Sequence, residues 1–250
     1  MKFSKKLAEK YNISVRSAKE YIHEGAVFLN GSRVKKDTEA SDGELILHKN
    51  LTENIPELSD YLIAAYDNVV FFDKPVFMHS ERHRLDDPVT MQDIVSKYFP
   101  DFSLISRLDY STDGVMAAVR NGYTPKNIKK IYLAVVDGIF EKSTTCDLMI
   151  DSSHRKYVRI IGDHGGNLTI LSPVAAGKTL SVVRAEVVSA SRHQIRATLA
   201  HIGYPISGDT AYGGQEAERI MLHCSETYVD NYACLSGLMD NIYRFFNTDI

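Results

Sequence analysis

Arg107, Leu108 and Asp109 set a basic side chain, an apolar one and a carboxylate side by side, and Ser111, Thr112, Asp113 and Gly114 follow them. An apolar run from Val115 to Val119 comes next. Small polar residues and a glycine between apolar segments predict a turn feeding a strand. A carboxylate on a loop held by a sheet is placed for chemistry, though Asp109 alone could equally cap its turn or pair with Arg107. A second basic group comes from Arg196, inside a stretch whose Ser191 and Gln194 have the spacing of a capping box and whose Gly203 and Pro205 end a helix. Ile195, Leu199 and Ile202 share the core face of that helix. His193, Arg196 and Ala200 lie on the neighbouring face, so Arg196 can aim at the end of a sheet.

Other chemistries find little support. No phosphate-binding glycine loop occurs, which removes nucleotide-cofactor chemistry. No Ser-His or Cys-His arrangement with an oxyanion loop is identifiable, so a nucleophilic hydrolase fails. His79, Glu81 and His83 alternate in a polar loop without a matching third ligand group, and no metal is expected.

Five ordered blocks change the weight of Asp109. Arg107-Leu108-Asp109 with Thr112 and Gly114 resembles the catalytic loop of RluA-type pseudouridine synthases. Val69 to Pro75 resembles the family's strand ending in Asp-Lys-Pro, and Lys130 to Gly138 its Lys-x-Tyr-x-Ala strand. His193 to Arg196, with His201 to Ile206 and Gly208-Asp209, is similar to its His-Gln-Ile-Arg segment. Tyr212-Gly213 and Arg219 to His223 follow in the family's order. The resemblance implies an isomerase that turns specific uridines of structured ribosomal or transfer RNA into pseudouridine by base flipping. Asp109, Tyr132 and Arg196 would be catalytic. Asp109 would act at the sugar, and Tyr132 would stack on the flipped base and help remove the last proton. Arg196 would pair with Asp109, keep it ionised and fill the gap the base leaves. Lys74, Arg107, Leu108, Thr112, His193 and Gln194 would bind substrate. The rearrangement consumes no second substrate, so no cofactor is expected. The chain departs from the family at Ser106, where a histidine is usual, at Asp113, where a serine is usual, and at Val76-Phe77, where a glycine is usual. Ala190-Ser191-Arg192 likewise replaces its Gly-Arg-Thr. An extra acid at Asp113 is expected to weaken phosphate affinity. The alternative is an RNA-binding protein that keeps the synthase fold without turnover.

The first 48 residues read as a separate module. Apolar residues at helical spacing run from Leu7 to Ile22, with Asn12 or Ser14 as cap of a second helix, and Gly25 stops it. Val27 to Leu29 with Asn30-Gly31 predicts a strand entering a tight hairpin, and Asp42-Gly43 a second turn. This pattern resembles an RNA-binding module first seen in a small-subunit ribosomal protein. The resemblance puts Arg16, Lys19, Arg33, Lys35 and Lys36, with Lys5 and Lys6, on RNA phosphates. Residues 49–65 read as a linker and 66–250 as the catalytic domain.

Thr90 to Phe99 predicts an amphipathic helix, and strands are expected at Val69–Phe72, Val115–Val119, Ile131–Val136, Tyr157–Ile161, Leu168–Leu171 and Leu180–Val188. Gly162 to Asn167 and Ala176 to Lys178 read as hairpin connections. The fold expected is α+β: a mainly antiparallel mixed sheet with flanking helices, preceded by the small α+β module.

The net charge of -3 hides an uneven distribution. Residues 1–50 carry ten basic and seven acidic side chains, and residues 120–200 twelve and six. Phosphate responds to the local face, so these two segments are the candidate RNA surfaces. Three cysteines without C-x-x-C spacing suit a reducing cytoplasm. No apolar run is long enough to span a bilayer, and the start reads as lacking a secretory signal. A monomer acting on RNA, without a membrane, is expected.

Overall fold

The computed structural model describes the chain except residues 24, 49–54, 83–86, 155–156, 189, 239 and 250. His83 and residues 49–54 of the expected linker therefore lie outside the described residues. The described chain divides into two compact units, Met1–Glu57 with Met78–Pro100, and Leu58–Phe77 with Asp101–Ile250.

The first unit begins with α1 (Phe3–Tyr11) and α2 (Val15–His23), followed by β1 (Val27–Leu29), β2 (Ser32–Arg33) and β3 (Leu45–Leu47). The strands pair antiparallel in the order β2-β1-β3. Asn12 takes a left-handed conformation that closes α1, and the Ser14 hydroxyl accepts the Ser17 N–H at 3.0 Å to start α2. Leu7, Ala18 and Ile22 turn inward onto Val27, Leu45 and Leu47 to form the core. Asn30 and Gly31 both have positive φ, 48° and 75°, the backbone of the tight hairpin their types favour.

Helix α3 (Met91–Tyr98) belongs to this unit. Thr90 and Asp93 form its reciprocal capping box, and the Asp93 carboxylate also receives Arg82 at 2.9 Å. Lys97 and Tyr98 donate to the carbonyls of Ile55 and Pro56. Arg33 donates to Glu81 at 3.0 Å and to the Arg82 carbonyl at 3.3 Å. These bonds tie 78–100 to the N-terminal residues, although sequence alone grouped that segment with the residues after it. The Arg33 guanidinium, expected on RNA phosphates, bonds inside the unit to Glu81 and the Arg82 carbonyl. Arg16, Lys19, Lys35 and Lys36 are exposed, with Arg16 pairing loosely with Glu20 at 3.2 Å.

The second unit is built on one large sheet. Its strands are β4 (Leu62–Ala65), β5 (Val69–Lys74), β6 (Phe102–Leu104), β7 (Asp113–Arg120), β8 (Ile128–Asp137), β9 (Thr144–Asp151), β10 (Arg159–Asp163), β11 (Asn167–Ala176), β12 (Leu180–Val188), β13 (Leu222–Val229) and β14 (Tyr232–Leu235). They lie in the order β10-β9-β11-β12-β8-β13-β7-β5-β4, with β14 added on β13 and β6 on β7. Helices α4 (Gln194–His201) and α5 (Asp240–Phe246) complete the unit. The fold is a mixed α+β arrangement on a mostly antiparallel sheet, as expected.

The central strands β7 and β8 are buried almost end to end, which their continuous apolar runs foretell. Strand β13 gave no such signal, because His223, Ser225 and Thr227 interrupt its apolar residues and yet are buried. The Ser225 and Thr227 hydroxyls donate to carbonyls of the neighbouring strands, at Ile131 and Val115. Strand β13 joins β7 in parallel, through His223 with Asp113 and Cys224 with Gly114, whereas its neighbours on the sheet pair antiparallel. Gly114 permits the approach: a Cβ there would sit 2.2 Å from the Cys224 carbonyl oxygen, and its φ is 111°.

The expected hairpin at Gly162 to Asn167 is corrected. Strands β10 and β11 do not pair, because β9 lies between them. The connection instead crosses β9, where His164 N–H donates to the Asp147 carbonyl at 2.7 Å and Gly166 N–H to its carboxylate at 2.6 Å.

Candidate active site

Three elements bring the expected residues together. Between β6 and β7 the chain makes a turn closed by the Thr112 N–H, which donates to the Asp109 carbonyl at 3.0 Å. Leu108 and Thr112 are buried and anchor the turn, while Arg107 and Tyr110 are exposed. The Asp109 side chain keeps 31% of its surface, so it is held and still open.

Helix α4 supplies the partner. It begins at Gln194, with His193 left-handed at φ 54°. Half of the expected capping box is present: the Gln194 side-chain oxygen accepts the Ser191 N–H at 2.9 Å, while the Ser191 hydroxyl goes to Asn167 instead. The Gln194 amide donates to Leu168 O and Thr169 Oγ1, both at 3.0 Å, so its side chain is spent on joining α4 to β11.

Arg196 lies in the first turn of α4 and is nearly buried. Its Nη1 donates to Asp109 Oδ2 at 2.7 Å. Its Nε and Nη2 donate to the two oxygens of Asp209 at 2.6 and 2.8 Å. Asp209 is 1% exposed, and the planar fork matches its carboxylate edge to edge. Burial alone would lower the Arg196 pKa, but the hydrogen bond to Asp209 and the charges of Asp109 and Asp209 raise it above its usual value. Asp209 was not singled out as a site residue from sequence, although it stands in the Gly208-Asp209 motif. The guanidinium is thus held on two edges, by Asp209 and by Asp109.

His193 Nε2 lies 3.7 Å from Asp109 Oδ2, and its Nδ1 meets the Tyr212 hydroxyl at 3.1 Å. Burial lowers the His193 pKa more than the Asp109 charge raises it, so the ring is biased to the neutral form. The Tyr212 hydroxyl also receives the Val158 N–H at 2.7 Å, and the Tyr212 ring lies under Arg196 at 5.1 Å.

Lys74, at the end of β5, is fully buried and donates to the Pro75 carbonyl at 2.9 Å. Burial pulls its pKa down to about 8, against the charges of Asp113 and Asp109. Tyr132 on β8 is 5% exposed, and burial raises its phenol well above the usual value, with the Cys224 thiol and Asp109 pushing the same way.

Asp113 departs from its expectation. It is 1% exposed and meets Arg219 at 3.0 Å and His223 Nδ1 at 3.1 Å. Burial raises its carboxyl, but His223 and Arg219 outweigh that and hold it below its ordinary range. The acid faces these two partners and not phosphate. Ser106 accepts a hydrogen bond from the buried Lys130 at 2.6 Å. Among the described residues no group of three His, Cys, Asp or Glu side chains could hold a metal, and all three cysteines are free and buried.

On a mostly antiparallel sheet the fold thus brings together an aspartate, an arginine clamped between two acids and a buried tyrosine. A family model described as RNA pseudouridylate synthase matches residues 68–201, more than half of the chain, and the protein belongs to this family. The chain is 26% identical over 247 residues to an uncharacterized RNA pseudouridine synthase of Helicobacter pylori (strain J99), covering 91% of this chain and 93% of that one. It is 28% identical over 188 residues to the dual-specificity RNA pseudouridine synthase RluA of Vibrio parahaemolyticus, covering 66% and 75%. The fold is similar to human RNA pseudouridylate synthase domain containing 4, with a TM-score of 0.58, 14% identity, and 76% and 93% covered. No helix among the described residues is long and apolar enough to cross a membrane.

Proposed function

We propose that the protein converts particular uridines of structured ribosomal or transfer RNA into pseudouridine, with Asp109 as the acidic group at the sugar. The observation that carries this reading is the clamp on Asp109. Arg196 donates to the carboxylate, Asp209 fixes Arg196, and the Asp109 side chain remains open on its other side. The substrate base leaves its stack to reach such a recessed group, at a cost of a few kcal/mol that is least in loops.

The chemistry follows from these positions. The nitrogen–carbon glycosidic bond breaks as Asp109 attacks or deprotonates the sugar. The freed uracil turns within the pocket and rejoins the sugar through carbon. That carbon passes its proton to water while the nitrogen released from the sugar takes one up. Tyr132, buried on β8, serves as the ring against which the base lies and helps remove the proton from that carbon. Neutral His193 and buried Lys74 flank Asp109 and shape its field. Nothing in this sequence of steps calls for a cofactor. The exposed Arg16, Lys19, Lys35 and Lys36 of the first unit supply phosphate contacts of the kind the ribosomal-protein-like module would make. Buried free thiols support a reducing cytoplasm, and a monomer is sufficient because one chain holds every group named.

The test is pseudouridine mapping of cellular RNA in cells without the gene, complemented by wild type or by Asp109→Asn. Wild type restores one or a few sites and Asp109→Asn restores none, while RNA affinity stays within about tenfold. A wild-type protein that restores no site would leave the inactive RNA binder as the correct reading.

A further inference from the structure

Six non-glycine residues among those described have a positive φ: Asn12, Asn30, Phe77, His164, His193 and Asp230. Five are Asn, Asp or His, the types that tolerate left-handed backbone. Phe77, at φ 59°, is the exception, and it stands where the family pattern has a glycine. A bulky residue keeps such a conformation only where the surroundings impose it. Here the Phe77 N–H donates to the Tyr110 carbonyl at 2.7 Å, which pins the segment after β5 to the turn that carries Asp109. The two rings sit 5.7 Å apart at 50°.

Neither ring gives the core much in return. Phe77 is 52% exposed and Tyr110 47%, so two large aromatic surfaces face solvent, and Tyr110 directly follows Asp109 in the chain. Arg107, also exposed, stands three residues before Tyr110. Adjacent aromatic faces with a nearby cation are the elements of a site for an unpaired base and its phosphate, because every base presents a π-face that stacks without regard to sequence. We infer that Phe77 and Tyr110 form a stacking platform for an unpaired base next to the target uridine, and so select the single-stranded context that enters the site. The inference rests on the synthase reading for the identity of the RNA, and its geometry is independent of Asp109 chemistry.

The probe is a short single-stranded RNA with one uridine and a fluorescent adenine analogue beside it, on one side or the other. It is titrated into the full chain carrying Phe77→Gly, Tyr110→Ala or Tyr110→Phe. Wild type quenches the analogue on one side. Phe77→Gly and Tyr110→Ala lose that quenching and bind about tenfold more weakly. Tyr110→Phe keeps both, since the ring and not the hydroxyl does the stacking. Phe77→Gly relieves the backbone and does not lower the melting temperature. Unchanged quenching and affinity in both truncations would overturn the platform, and so would a Phe77→Gly protein that melts early, which would make the pair a packing contact. Loss of quenching in a protein whose wild type forms no pseudouridine anywhere would sink the synthase reading and leave the platform standing.

Discussion

Arg196 and Asp109 meet through a single hydrogen bond of 2.7 Å, because the rest of the Arg196 fork belongs to Asp209. The division decides what each acid does. Asp209 is buried and anchors the cation, whereas Asp109 borrows the remaining donor and stays open toward a substrate. A lysine has one compact charge and cannot serve both acids in this geometry.

Removing Asp209 is therefore expected to cost more stability than removing Asp109. Asp209→Ala leaves a buried guanidinium with half its partners gone, at about 3–5 kcal/mol. Asp109→Ala removes one partly exposed contact, and its urea midpoint should move far less. Arg196→Lys should keep the fold in place and lose most of the activity. Equal midpoints for the two alanine variants would contradict the division of labour.

Restoring the family's serine at position 113 is expected to harm this chain. Asp113→Ser strips the shared acid from buried Arg219 and His223, and breaking such a set costs about 3–5 kcal/mol. The pH response has a definite sign. The Asp113 pKa is depressed in the folded state, so its contribution is present above the unfolded carboxylate value and is lost as pH falls through the folded one. Acid unfolding of the variant should lack this component. A variant as stable as wild type at neutral pH would show that the network contributes nothing.

Lys74 sets an alkaline limit. Its folded pKa is about 8 against an ordinary value of 10.5, so between these values the unfolded chain holds a proton that the folded chain has shed. Stability should rise with pH across that window, since the buried charge is no longer forced on the fold. Activity should fall over the same range as the site loses a cation whose charge is coupled to that of Asp109. Lys74→Met should flatten both responses, which parallel rate and denaturation profiles would read.

The exposed cations of the first unit should set salt dependence and leave chemistry alone. Changing Lys19, Lys35 and Lys36 to Glu is expected to weaken RNA binding and reduce the log–log salt slope by about one unit for each phosphate no longer neutralised. The rate at saturating RNA should hold. Arg33→Glu should instead unfold part of the unit, because its partners Glu81 and Arg82 O are internal.

The amino-acid sequence by itself determined the elements and the candidate chemistry. Apolar runs marked β5, β7 and β8, Asn30-Gly31 marked the hairpin, and the motifs around Asp109, Tyr132 and Arg196 resembled those of a synthase family. Each of these depends on side-chain type and local period, which near neighbours in the chain are enough to express. Partnership was different. Asp113 and Arg219 are 106 positions apart, and Asp109 and Arg196 are 87. Only the insertion of β13 between β7 and β8 turned Asp113 inward, and only the loop after α4 brought Asp209 onto Arg196. Strand β13 escaped notice because buried Ser225 and Thr227 break its apolar run and are satisfied by carbonyls far away in sequence. Whether a charge is a ligand, a strut or a solvated ornament depends on what lies within a few ångströms, and tertiary pairing alone supplies that neighbour.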